Sequence, residues 1–67
     1  MTDWKQNLAA IYAITARQWL DSAKDWRETA WHELERGNTA IAMAANEHAD
    51  WAAHQAELDF AKSQSYS

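Results

Sequence analysis

Cysteine is absent from this chain, which excludes disulfides, thiolate nucleophiles and cysteine-ligated metal. Proline is absent as well, and Gly37 is the one glycine. Nothing therefore breaks a helix over long stretches, and no glycine-rich loop exists to cradle a phosphate. Basic residues are few: six Lys and Arg stand against ten Asp and Glu, for a net charge of −4. A phosphate backbone as partner would require clustered Lys and Arg, so nucleic acid is not expected as a ligand. The acidic excess is too dilute to imitate DNA. No apolar run approaches the ~20 residues that a membrane span requires. The opening Met1-Thr2-Asp3-Trp4 lacks the basic and apolar regions of a signal peptide, and a cytoplasmic location is the resulting expectation.

What the chain has in quantity is alanine, together with five tryptophans in 67 residues. Alanine without proline points to helix. The length allows one small domain, residues 1–67, and domains this short bury only roughly 60% of the surface exposed by their unfolded chains. Small scaffolds compensate with disulfides, a metal or oligomerisation. Cysteine is missing and histidines number only three, so oligomerisation remains.

The organising stretch is Tyr12 to Leu34. Tyr12, Ala16, Trp19, Ala23, Trp26 and Ala30 alternate spacings of four and three, which is a seam along one side of an α-helix. A second seam, all methyl groups, follows at Ala42, Ala45, Ala49, Ala52 and Ala56. The first helix is expected over about 3–36, capped by Thr2 or Asp3, with Gln6 completing a weak capping box. Gly37 suits the left-handed position after a helix C-terminus. Asn38 or Thr39 then caps a second helix over about 39–62, and residues 63–67 form a polar tail expected to fray. A turn at 37–38 makes the helices antiparallel neighbours. Pivoting there sets Trp19 opposite Ala56, Ala23 opposite Ala52, Trp26 opposite Ala49 and Ala30 opposite Ala45. The fold class is thus all-α, an antiparallel two-helix hairpin with Trp19 and Trp26 as core residues.

One hairpin cannot bury all of its apolar surface. The apolar arc of the first helix spans roughly 200°, where a surface helix shows about 100°. It runs from Ile11 and Trp4 through the seam to Leu20 and Trp31. In the second helix, Ala44, Trp51 and Leu58 form a stripe beside the alanines, with His48 and Gln55 between. Two hairpins packed face to face would cover these flanks as a homodimeric four-helix bundle. Trp4, Leu8, Ile11, Ile14, Trp31, His48, Trp51 and Leu58 are the candidate residues for the dimer interface or for a protein partner. Ile14 is the outlier, an apolar residue on the polar arc among Asp21, Asp25 and His32. His48, once half-buried, would make association sensitive to pH near neutrality.

Metal and catalytic chemistry find little to work with. Glu28 with His32, and Asp50 with His54 and Glu57, have helical spacings that can hold a metal, but they fall on polar arcs and lack the Glu-x-x-His pattern of di-metal bundles. They read as solvated pairs, like Lys24 with Glu28 and Asp21 with Lys24. Ser22 lies mid-helix and the remaining serines lie in the tail, none beside a plausible base. No cofactor, metal site or enzymatic activity is expected.

In outline, a short antiparallel hairpin pairing into a four-helix bundle is similar to the plasmid copy-number regulator Rop. The likeness is architectural and no motif carries it, so no family is assigned. A Rop-like role would imply a basic bundle face for RNA, and Lys5, Arg17, Lys24, Arg27, Arg36 and Lys62 do not form one. The expected function is a small protein–protein interaction module. It would act as an adaptor, or as an inhibitor that occludes a larger regulatory protein or enzyme, in the manner of phage or mobile-element accessory proteins. A metal- or cofactor-binding bundle and a Rop-like nucleic-acid regulator are the alternatives.

Overall fold

An uninterrupted run of helix-compatible residues gives one long helix, a glycine stops it, and a second long helix returns along it. The computed structural model describes residues 3–67. Helix α1 covers Asp3–Glu35 and helix α2 covers Thr39–Tyr66. Among the described residues there is no strand. The hairpin is rod-shaped, measuring 56 × 12 × 10 Å between Cα extremes. Asp3 lies within α1, and a cap at Thr2 falls outside the described residues.

The turn follows from Gly37, which takes the left-handed conformation at φ 83°. With that residue left-handed, the Asn38 amide reaches back to the Glu33 carbonyl at 2.8 Å and the Gly37 amide to that of Leu34 at 3.0 Å. This pair of bonds is the Schellman arrangement, and it satisfies carbonyls left free at the end of α1. The motif is reinforced by polar contacts where an apolar one is usual. Asn38 Nδ2 donates to Glu33 Oε2 at 2.7 Å, and Arg36 donates to Glu33 Oε1 at 3.2 Å. Asn38 occupies the N-cap position of α2, but its side chain makes no capping bond there. Being tied to Glu33, that side chain closes the turn instead.

The core is made of alanine. Among the described residues, Ala16, Ala23 and Ala30 of α1, and Ala42, Ala45, Ala49, Ala52 and Ala56 of α2, are the buried hydrophobic ones, and no large side chain is fully buried. Ala23 packs with Ala49 and Ala52, and Ala30 with Ala42 and Ala45, so the expected opposition of Ala23 to Ala52 and Ala30 to Ala45 is met. Interhelical distance is governed by the side chains at the contact, and a line of methyls leaves no room for an indole between the backbones. The core placement of Trp19 and Trp26 is corrected accordingly. Trp19 is half-buried at the edge of the Ala23–Ala49–Ala52 cluster, and Trp26 is exposed. In α1 the contact line is the seven-residue alanine repeat, and the rings lie to one side of it.

A second correction concerns the C-terminus. Helix α2 does not end near Lys62; it continues to Tyr66. The Ser63 hydroxyl donates to the Ala9 carbonyl at 2.7 Å, and the Tyr66 ring stacks on Tyr12. The tail is anchored by contacts with α1 that lie more than fifty residues away in the chain.

Candidate interaction surface

The same geometry that fills the seam with methyls expels every large apolar side chain to the flanks. Twelve of them are exposed among the described residues, from Trp26 at 38% to Trp31 at 64%. They divide between the two broad sides of the rod and its outer surfaces, where Ile14 of α1 and Met43 of α2 lie.

On one side the rings form a ladder. Trp19 and Trp51 meet edge to face at 5.0 Å between centroids, Trp51 and His48 lie at 5.8 Å, and His48 meets Trp26 at 4.6 Å. Two rungs come from each helix, so the ladder bridges the hairpin about the middle of its length. Edge-to-face contacts set the positive rim of one ring against the negative face of another, which holds each indole in a defined orientation while its outer surface stays in water. A smaller cluster sits at the open end. Tyr66 stacks on Tyr12 at 5.8 Å and meets Trp4 edge-on at 6.4 Å, with Lys62 over Tyr12 and Lys5 over Trp4.

The opposite side is different in chemistry. Leu20, Ala23, Trp31 and Ala53 line an open groove of about 510 Å³, edged by Lys24, Arg27, Glu28 and His32. Arg27 crosses to α2, donating to Asp50 at 2.7 Å and to Asn46 at 3.4 Å. Both partners of that ion pair are well exposed, so it aligns the helices more than it stabilises them. Further along, Ile14 and Phe60 border a second depression of about 390 Å³ with Arg17 and Asp21.

The candidate contact residues therefore do not form one patch. His48 and Trp51 come together in the ladder, and helical spacing carries Leu58 onto the same side. Trp31 belongs to the groove opposite, and Ile14 to the depression beside Phe60. Ile11 is exposed on α1, while Trp4 and the half-buried Leu8 lie toward the open end. Trp19 and Trp26 complete the ladder and were not among those candidates. Their signal lay in the alanines: Ala16, Ala23 and Ala30 repeat every seven residues, and Trp19 and Trp26 each follow an alanine by three, off the centre of the contact line. Leu20 and Phe60 also join the surface, as does Tyr66 through its stack on Tyr12.

His54 stands apart from both surfaces. His54 Nδ1 lies 4.0 Å from Glu57 Oε2, with both side chains largely exposed. Among the described residues no group of three or more His, Asp or Glu is placed to hold a metal ion. None of the described helices is long and apolar enough to cross a membrane. What the fold and surface define is a helical hairpin with an alanine core and ring-bearing flanks. No family model, curated protein or solved structure matches the chain.

Proposed function

We propose that this chain is a protein–protein interaction module without enzymatic activity, which pairs with a second copy as a four-helix bundle and docks a remaining apolar surface on a larger protein. One observation carries the reading. Among the described residues the buried hydrophobic ones are all alanine, whereas twelve large apolar side chains, four of them tryptophans, stand in solvent. Contiguous exposed apolar surface on a small protein marks an interaction site. The hairpin puts it on more than one side, so that one part can serve self-association and another a different partner. Acting as an adaptor or as an occluding inhibitor requires only such a surface and no reacting group.

Two measurements test this. Sedimentation across a dilution series should give a mass near twice 7.7 kDa. A folded monomer at all concentrations would remove the self-association. For the larger partner, a photoreactive group at Ile14 or Trp31 should cross-link a protein from the native cell that then rebinds the purified chain. Trp31→Ala and Ile14→Asp should weaken that rebinding by about 2 kcal/mol or more if they are hot spots. Unchanged binding by both folded variants would remove the docking assignment.

A further inference from the structure

The two broad sides of the hairpin are both apolar, yet they differ in what burying them would cost. In the middle of the ladder side, helical spacing places Thr15, Trp19, Ser22, Trp26 and Thr29 of α1 and Ile41, Ala44, His48, Trp51 and Gln55 of α2, with no Asp, Glu, Lys or Arg among them. Glu47 borders Trp51 at the outer edge, and Glu33, Asp59 and Lys62 lie beyond this stretch. About a quarter of the chain, 24%, is charged, so this gap reflects segregation. The charges of the same segments fall on the opposite side or the outer surfaces, including Lys24, Arg27 and Asp50.

The flanking threonines add to the contrast. The Thr15 hydroxyl donates to the Ile11 carbonyl at 2.9 Å, and the Thr29 hydroxyl donates to that of Asp25 at 3.1 Å. Both hydroxyl protons are bonded within α1, so covering these residues strands no donor.

Area supplies the occupant. The chain exposes 5075 Å². A compact monomer of this mass would expose about 4,300 Å². The excess, about 700 Å², is close to the ~800 Å² that each partner of a standard interface removes from water. A second hairpin is itself a rod with the same charge-free middle on its ladder side, and laying one on the other turns two helix pairs into one bundle.

We infer that the ring-ladder side, centred on Trp19, Trp26, His48 and Trp51, is the face on which a second copy packs, leaving the Leu20–Trp31 groove with its Arg27–Asp50 pair outward. This rests on the self-association proposed above and assigns its face. Burial of the middle of the ladder side desolvates rings, methyls and small polar groups and leaves Glu47 at the margin. Burial of the groove side would strip water from Lys24 and from an exposed ion pair, a cost that Coulomb attraction seldom returns in full. Charge depletion with aromatic enrichment is also the composition of interface cores.

The experiment compares one added charge on each side. Ala44 is exposed and, by spacing, stands on the ladder side one turn from His48, so Ala44→Lys leaves every ring contact in place. Leu20→Lys puts the same charge in the groove. Trp51→Lys strikes the ladder itself. Mass is followed by sedimentation on dilution, with helicity by circular dichroism as the folding control.

Ala44→Lys and Trp51→Lys should raise the dimer dissociation constant about a hundredfold or more, as expected for an uncompensated charge in a buried contact. Leu20→Lys should leave it within a few-fold of the parent. Should Trp51→Lys fail to fold, Ala44→Lys decides alone. A dimeric parent that is dissociated by Leu20→Lys and not by Ala44→Lys overturns the face assignment while self-association stands. A monomeric parent overturns both.

Discussion

Tyr66 lies flat on Tyr12, with ring centroids 5.8 Å apart and planes 4° from parallel. The two residues come from opposite ends of the chain, and their stack closes the open end of the hairpin. Together with the Ser63 hydroxyl bond to the Ala9 carbonyl, it holds the last turns of α2 in place.

Removing that closure should loosen one end only. Tyr66→Ala is expected to destabilise the protein by about 0.5–1.5 kcal/mol, the range for an aromatic pair. Hydrogen exchange should rise for the amides of the last two turns of α2 and the first turns of α1. Amides around the Ala23–Ala49–Ala52 cluster should keep their protection. A uniform rise along both helices would show that the stack supports the whole fold.

The turn should be intolerant for a conformational reason. No atom lies within 4 Å of where a Cβ at Gly37 would sit, so Gly37→Ala meets no steric clash. It does force an L-residue to φ 83°, at a cost of roughly 1–2 kcal/mol. Denaturant unfolding at fixed protein concentration should show this loss, and Gly37→Asn should recover part of it.

Enlarging a seam methyl should be worse than enlarging an exposed one. Ala49 is 0% exposed and sits in the cluster with Ala23 and Ala52. Ala49→Leu is expected to cost about 1–3 kcal/mol by overpacking. The same change at the exposed Ala44 should leave the hairpin folded. Equal stability of the two variants, by thermal melts at matched concentration, would contradict an alanine seam.

Arg27 should matter little to stability. Its bond to Asp50 is short at 2.7 Å, but the two side chains are 53% and 71% exposed, so Arg27→Ala should cost under about 1 kcal/mol. The difference from the parent should shrink further in high salt, since exposed pairs are screened. A larger loss that survives salt would mean that the pair is covered in the assembled protein.

The hairpin itself was legible in the chain because each of its determinants is local. Alanine-rich helical segments, one glycine with a left-handed requirement and two alanine rows in matching register imply two antiparallel helices without any knowledge of the packing. The all-methyl character of the second seam is visible in the spacing alone. So is the surplus of apolar surface on the first helix.

Position across the seam was decided only by the tertiary structure. Trp19 and Trp26 share a helical stripe with Ala16 and Ala23, and a stripe shows which residues lie near a contact line without showing which lie on it. Close approach of the backbones decides that, admitting methyls and turning the rings outward to meet Trp51 and His48. The anchored tail was hidden for a related reason. Ser63 and Tyr66 look polar and terminal in sequence, and their partners Ala9 and Tyr12 become neighbours only after the chain has folded back. The charge-free middle of the ladder side likewise required both helices in place, because neither helix alone defines a side of the pair.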